Sequence, residues 1–135
     1  MNNNTLVIVG NLVRPVELKF LNNGSAAARL TVASSKPAYT SKFGKEVAEM
    51  TSYVNVSLIG TIAENAANSL DKGDRVLVVG RLEQRTWDKE DGTKGEIWEL
   101  NAEAIGPDLR FATANPQKTA ISKAPSTVPD YEEAF

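Results

Sequence analysis

The chain of 135 residues contains no cysteine and no histidine. Without cysteine it can form no disulfide and has no thiolate for catalysis or for binding metals. Without histidine it lacks the general base of Ser-His-Asp and Cys-His nucleophile systems, and the two absences together exclude nearly every zinc site. Only carboxylates, lysine and tyrosine remain as possible acids and bases. The absence of cysteine and histidine therefore disfavours an enzyme without excluding one. We therefore expect a binding protein without catalytic activity, metal or cofactor.

Long apolar runs are also missing. The N-terminus has no basic segment, and its longest apolar run is Leu6–Val9. Neither a signal peptide nor a membrane span fits this pattern, so we expect a cytoplasmic protein without membrane contact. The chain length suits one ordinary domain followed by a tail.

Strand patterns dominate the first part of the chain, which carries nearly all the β-branched and aromatic residues. The predicted strands are Leu6–Val13, Val16–Leu21, Ala26–Lys36, Thr51–Ile59, Arg75–Arg85 and Glu96–Ile105. On Thr51–Ile59 the alternation predicts that Val54, Val56 and Leu58 face the core. A long polar stretch, Pro37–Met50, separates two of the strands, and Phe43-Gly44 lies at its predicted tip.

One helix is clearly signalled after the strand that ends at Ile59. Thr61-x-x-Glu64 is the pattern of a capping box at a helix start. An apolar stripe at four-residue spacing follows and consists of Ile62, Ala66 and Leu70. Lys72-Gly73 is typical of a helix end, because glycine suits the left-handed cap.

The order of three long strands, one helix and two strands is that of the OB-fold, a five-stranded Greek-key barrel with one helix. A small α+β sheet protein or another barrel of similar length is the alternative. We assign residues 1–111 to the barrel domain. Residues 112–127, rich in Ala, Ser, Thr and Pro, are predicted to be a flexible linker, and residues 128–135 a disordered acidic tail.

Charge is distributed unevenly along the chain. The formal net charge is −2, which taken alone argues against a nucleic-acid partner. Residues 1–45, however, carry a net charge of +5, whereas residues 46–111 carry −6 and residues 128–135 carry −3. The first strands and the polar stretch after them are therefore a basic segment in an acidic protein.

Aromatic residues lie beside the cations. Tyr39 lies in the basic stretch, Tyr53 is predicted to point away from the core, and Trp87 shares its strand alternation with Arg81 and Arg85. Exposed aromatic rings stack on bases of any kind, and neighbouring cations follow the phosphates. This combination is typical of a protein that binds single-stranded nucleic acid.

Several motifs then match a known family in order and spacing. They are Val9-Gly10-Asn11-Leu12, Pro15-x-Glu17-Leu18, Ala63-Glu64-Asn65, Lys72-Gly73-Asp74-x-Val76 and Gly80-Arg81-Leu82-x-x-Arg85-x-Trp87. Over residues 4–114 the chain resembles bacterial single-stranded DNA-binding proteins. The stretch from Ile105 to Ala114 looks most like the actinobacterial branch.

The resemblance implies an OB-fold homotetramer that wraps single-stranded DNA in replication, recombination and repair, in the nucleoid region of the cytoplasm. The family's stacking positions fall on Tyr39, Tyr53, Trp87 and Ile59, the last of which can pack on a base without offering an aromatic ring. Backbone and polar contacts are expected from Asn11, Arg29, Thr31, Lys36, Lys42, Lys72, Arg81 and Arg85.

The last residues resemble the family's acidic C-terminal peptide, which docks replication and repair proteins. The residues concerned are Asp130, Glu132, Glu133, Ala134 and Phe135. An acidic peptide that ends in an aromatic residue suits a basic pocket with an apolar base.

Two other functions remain as alternatives. One is an OB-fold accessory or adaptor protein of the primosome type, which would act mainly through protein contacts. The other is a small hydrolase that uses a carboxylate, Asp88, Glu90 or Asp91, around a predicted turn at Asp91-Gly92.

Overall fold

The computed structural model describes residues 4–119 of the chain. In this range strands predominate, as the sequence predicts. The elements are β1 (Thr5–Leu12), β2 (Glu17–Phe20), β3 (Ala26–Lys36), β4 (Tyr39–Thr40), β5 (Glu46–Val47), β6 (Met50–Ile59), α1 (Thr61–Ser69), β7 (Arg75–Asp88) and β8 (Lys94–Pro107). No helix in these residues is long and apolar enough to cross a membrane.

The main sheet closes on itself to form a barrel. It has six strands in the order β1-β7-β8-β6-β3-β2, and a further pairing joins β1 to β3 at Asn11 and Leu12. Its strand pairs are antiparallel except for β6 and β8, which run parallel. With α1 between β6 and β7, this is the predicted OB-fold. The sheet has a sixth strand because the first barrel strand is interrupted at Pro15, which separates β1 from β2.

Alternation along the strands fills the barrel with apolar side chains. The largest fully buried ones are Leu12, Val32, Val56, Leu58, Val76, Val78 and Leu100. Burial stabilises the fold by about 1.5–3 kcal/mol for each large apolar side chain. On β6 the predicted inward face is confirmed, because Val54 packs against the core formed by Val56 and Leu58.

The helix begins differently from the prediction. Gly60, with φ of 92°, is the N-cap residue, and no side chain caps the first turn. Thr61 is already helical, so the predicted capping box with Glu64 is wrong. Glycine takes the cap position because a positive φ, which other residues rarely adopt, is required between β6 and α1.

The end of the helix also lies earlier than predicted. α1 stops at Ser69, and Leu70 is extended, although its N–H still donates to the carbonyl of Ala66. Gly73 belongs to the following turn, in which the N–H of Asp74 donates to the carbonyl of Asp71. The buried side of the helix consists of Ala63 and Ala66, and Leu70 is buried directly after the helix end.

The polar stretch between β3 and β6 folds back on itself. β4 and β5 pair as a small hairpin whose turn is closed by a hydrogen bond from the N–H of Ser41 to the carbonyl of Lys45. Phe43 is 96% exposed at this turn, which confirms the predicted tip. The hairpin therefore holds an apolar ring and its neighbouring lysines away from the barrel.

Two glycines allow neighbouring strands to approach closely: Gly10 near the β1–β3 pairing that closes the barrel, and Gly80 at the irregularity in the β7–β8 pairing. A Cβ atom at Gly10 of β1 would lie 2.3 Å from the carbonyl oxygen of Ala33 on β3. A Cβ atom at Gly80 of β7 would lie 2.3 Å from the carbonyl oxygen of Asn101 on β8. In both cases the atom in the way belongs to the backbone, so a side chain would push two strands apart.

We expect Gly10→Ala to destabilise the fold by about 1–3 kcal/mol, the usual cost of overpacking a core. The matched control is Gly106→Ala on β8, where an added Cβ would meet nothing within 4 Å. Urea unfolding followed by tryptophan fluorescence gives both free energies of unfolding. Equal stabilities of the two variants would contradict the close approach of β1 and β3.

Candidate nucleic-acid interface

Four neighbouring strands present a continuous polar surface on the outside of the barrel. Thr31 on β3, Asn55 on β6, Glu99 on β8 and Glu83 on β7 are register partners in turn. Register partners share one side of a sheet, and side chains two residues away lie on that same side. We call this surface the outer face and define it by Arg29, Thr31, Tyr53, Asn55, Ser57, Arg81, Glu83, Arg85, Trp87, Ile97, Glu99 and Asn101.

Two exposed aromatic rings belong to the outer face. Tyr53 is 68% exposed on β6, and Trp87 is 46% exposed near the end of β7. Tyr39 is also exposed, in the β4–β5 hairpin, where the Nζ atom of Lys36 lies 5.1 Å from its ring centroid. The predicted exposure of all three rings is confirmed. Lys42 is exposed in the same hairpin.

Trp87 is held in place by a glycine on the facing strand. Gly95 is its register partner on β8, and a Cβ atom there would lie 2.4 Å from ring atom Cε2. The indole therefore covers the backbone of Gly95 and is oriented by it. An aromatic side chain that shields a cross-strand glycine is a recognised way of fixing a ring on a sheet.

The arginines of β7 are paired with carboxylates, which the sequence analysis did not anticipate. Arg85 Nη2 lies 3.0 Å from Glu99 Oε1. Arg81 lies 3.6 Å from Glu83 and 3.8 Å from Glu103. Glu99 and Glu103 belong to β8, so a reading of β7 alone could not find them, whereas Glu83 lies two residues from Arg81 on β7 itself. Both arginines lie on the outer face, and the neighbouring carboxylates neutralise part of their charge.

The remaining polar side chains of the outer face form hydrogen bonds across the strands. The Thr31 hydroxyl donates to Asn55 Oδ1 at 3.3 Å. Ser57 donates to Asn101, whose amide in turn donates to Glu83. These bonds link β3 to β6 and β6 through β8 to β7. The outer face is therefore ordered before any ligand binds.

A cavity of about 180 Å³ opens in the outer face. The predicted contact residues Arg29, Thr31 and Arg85 line it together, and so do Asn55 and Glu99, which the sequence analysis missed. Their register across β6 and β8 is the signal that would have identified them.

Ile59 does not join these residues as an accessible side chain. It is 7% exposed and packs with Ala27 and Leu21 at the far end of β6. The expectation that Ile59 packs on a base is therefore corrected, because alternation places it outward but neighbouring strands cover it.

Asn11 and Lys72 lie elsewhere on the barrel. The Asn11 amide donates to the carbonyl of Gly73 at 3.1 Å, which places it beside the turn that carries the exposed Lys72. β7 begins near this turn at Arg75 and reaches Trp87 only near its other end. A strand rises about 3.3 Å per residue, so the two groups are roughly 40 Å apart along β7.

The carboxylates of the β7–β8 hairpin organise a turn. Asp91 accepts hydrogen bonds from the hydroxyl and the N–H of Thr93, at 2.6 and 3.0 Å. These bonds hold the pKa of Asp91 below its ordinary value. No group of three or more acidic side chains placed to hold a metal ion occurs among residues 4–119. The arrangement of Asp88, Glu90 and Asp91 gives no support to the hydrolase alternative.

We expect Gly95→Ala to displace the Trp87 ring, because the new methyl group would occupy the space of the indole. In a Trp98→Phe background Trp87 is the only tryptophan, so its emission maximum and its quenching by iodide report the displacement. Gly106→Ala in the same background is the control. An unchanged emission spectrum and unchanged quenching would show that Gly95 does not position the ring.

The comparisons with known proteins agree with this geometry. The model of the Single-strand binding protein family matches residues 3–108. A relative from Mycobacterium leprae (strain TN), named single-stranded DNA-binding protein, is 38% identical over 118 residues, which are 87% of this chain and 70% of the relative. A relative of the same name from Paenarthrobacter aurescens is 37% identical over 115 residues, which are 85% of this chain and 67% of the relative.

A solved structure shares the fold. The small single-stranded DNA-binding protein from Streptomyces coelicolor superposes with a TM-score of 0.65 at 32% sequence identity. The match covers 81% of this chain and 97% of that one. The resemblance to the actinobacterial branch is confirmed by these relatives. Because the family model covers most of its length, the chain belongs to the single-strand binding protein family.

Proposed function

We propose that this protein binds single-stranded DNA through base stacking and phosphate contacts, without a chemical step. The observation that carries the proposal is the pair of exposed rings, Tyr53 and Trp87, on one ordered outer face. Stacking contributes about 1–3 kcal/mol per base and tolerates every base. Membership of the single-strand binding protein family and the names of its relatives support the same activity.

Backbone and polar contacts come from three regions in this proposal. Lys36, at the end of β3, lies over the Tyr39 ring, and Lys42 is an exposed cation of the β4–β5 hairpin. Arg29, Arg81 and Arg85 contribute from the outer face, with Thr31 as a polar contact. Asn11 and Lys72 lie on a separate part of the barrel, where they contact a DNA strand that continues around the protein. Each neutralised phosphate makes the affinity depend on salt.

We further propose that the protein assembles as a homotetramer. Val7 and Val9 of β1 face Val79 and Leu77 of β7 on the outside of the barrel. Val7 is 57% exposed and Leu77 is 43% exposed, so these four side chains form an apolar patch at the surface of one chain. Association of copies would remove this patch from water.

The proposed cellular role is protection of single-stranded DNA in replication, recombination and repair, in the nucleoid region of the cytoplasm. We propose that the C-terminal residues recruit replication and repair proteins. These residues, Asp130, Glu132, Glu133, Ala134 and Phe135, lie outside the described residues. The proposal for them rests on their acidic charge and terminal aromatic side chain alone.

We expect Trp87→Ala to weaken binding of labelled oligo(dT) by about fivefold to a hundredfold, which corresponds to the loss of one stacked base. Fluorescence polarisation at several salt concentrations measures the affinity and its salt slope. Trp98→Phe is the control, because Trp98 lies between Ile97 and Glu99 and so faces away from the outer face.

Two outcomes would overturn parts of this proposal. Equal affinities of the Trp87→Ala variant and the unchanged protein would remove Trp87 from the site. Absence of any salt-dependent binding of oligo(dT) by the unchanged protein would reject the function itself and favour the accessory or adaptor alternative.

Light scattering after size-exclusion chromatography is expected to show four chains per particle. Leu77→Glu should reduce that number, because it introduces a charge into the apolar patch. Phe43→Glu makes the same change at the exposed tip of the β4–β5 hairpin and should leave the number at four. A single chain per particle for the unchanged protein would contradict the proposed assembly.

A further inference from the structure

The cavity in the outer face is unusual for a surface that binds a polyanion, because a carboxylate lies within it. The Glu99 side chain is only 10% exposed, and one of its oxygens lies 3.0 Å from Arg85 Nη2. Glu17 also lines the cavity, so its acidic groups offset two of the three arginines, Arg14, Arg29 and Arg85. A phosphate inside the cavity would meet two carboxylates, which disfavours it as the occupant; the phosphate contacts proposed for Arg29 and Arg85 would be made outside the cavity, on the outer face.

The polar groups of the cavity suit the edge of a nucleobase. Asn55 and Glu99 are register partners on β6 and β8 and therefore lie side by side. Thr31 donates to Asn55 Oδ1, which leaves the N–H donors of this amide for a ligand. Glu99 supplies a carboxylate acceptor next to them. A donor beside an acceptor matches a base edge on which an amino group adjoins a ring nitrogen or a carbonyl.

The size and walls of the cavity agree with one base. Its volume of about 180 Å³ is smaller than the roughly 300–1,000 Å³ of sites that enclose a whole small-molecule ligand. Ile97 provides an apolar wall, and Tyr53 and Trp87 lie on the same outer face within two residues of the lining residues Asn55 and Arg85. A DNA strand whose bases stack on these rings would therefore pass over the cavity.

We propose that the cavity receives one nucleobase with an exocyclic amino group, and that Glu99 accepts a hydrogen bond from that group while Asn55 donates to the neighbouring acceptor. The inference rests on the proposed binding of single-stranded DNA and adds a bias for base type at one position of the bound strand. Glutamate accepts from the amino group of cytosine in this way in other nucleic-acid interfaces.

Thymine fits the same groups poorly. Its one N–H donor lies between two carbonyl oxygens, so a carboxylate that approaches the donor meets an oxygen on either side. On the hydrogen-bonding edge of cytosine the amino group lies at one end, and the ring nitrogen that accepts a hydrogen bond lies next to this amino group. The ratio of affinities for oligo(dC) and oligo(dT) therefore reports the contact with Glu99.

The test compares this ratio in the full-length protein and in Glu99→Gln, by fluorescence polarisation with labelled oligonucleotides of equal length. We expect Glu99→Gln to lower the affinity for oligo(dC) relative to oligo(dT) by about fivefold, the lower end of the discrimination that one side chain gives. A ratio measured within one variant is insensitive to the folded fraction of that variant, because both affinities change alike.

Glu103→Gln is the matched control. Glu103 carries the same charge on the same strand and pairs with Arg81, but it does not line the cavity. Its removal should change both affinities by the same factor. Asn55→Ala is a second variant and should lower the ratio as Glu99→Gln does.

The outcomes distinguish a failure of the proposed base pocket from a failure of the proposed binding of single-stranded DNA. If both oligonucleotides bind but neither Glu99→Gln nor Asn55→Ala changes the ratio, the base pocket is rejected and the binding function stands. The pocket is also rejected if Glu103→Gln lowers the ratio of the affinities for oligo(dC) and oligo(dT) as much as Glu99→Gln does, because the loss of a charge alone would then explain the change in ratio. If neither oligonucleotide binds the unchanged protein, the proposed function itself fails.

Discussion

The parallel pairing of β6 with β8 is the contact on which the outer face depends. It joins two antiparallel hairpins, β3–β6 and β7–β8, through three register pairs from Asn55↔Glu99 to Ser57↔Asn101. A shift by one residue would turn every polar side chain of one hairpin toward the core. The pairing therefore sets the neighbours of Tyr53 and Trp87 and creates the cavity between the hairpins. The close approach that Gly10 allows between β1 and β3 closes the barrel to which this pairing belongs.

Charge on the outer face is balanced. Arg81 and Arg85 each lie within 4 Å of a carboxylate on β7 or β8, whereas the exposed Lys36 and Lys42 lie at the end of β3 and in the β4–β5 hairpin. A DNA strand bound on this surface would meet aromatic rings and paired ions along β7 and β8, and the exposed Lys36 and Lys42 toward the β4–β5 hairpin. Stacking therefore carries much of the affinity in this account, whereas electrostatic attraction guides the strand from the periphery.

The sequence predicted the fold well, because alternation and turn chemistry are local properties. The six strands of the main sheet, the helix position, the tip at Phe43 and the exposure of Tyr53 and Trp87 follow from such patterns, whereas β4 and β5, inside the polar stretch Pro37–Met50, were not predicted. The helix cap at Gly60 was missed because a backbone constraint between β6 and α1 outweighs the capping pattern at Thr61. The burial of Ile59 and the pairing of Arg85 with Glu99 depend on residues of distant strands. Without the register of the sheet, no local pattern identifies them.

The central claim is that single-stranded DNA lies on the outer face against Tyr53 and Trp87. Ultraviolet cross-linking of the protein to oligo(dT) that contains 5-iodouridine, followed by peptide mass spectrometry, tests it most directly, since the cross-link forms with aromatic side chains in contact with the base. The account predicts adducts on Tyr53 and Trp87 that an excess of unlabelled oligo(dT) suppresses. Adducts confined to Trp98, on the opposite side of β8, would contradict it.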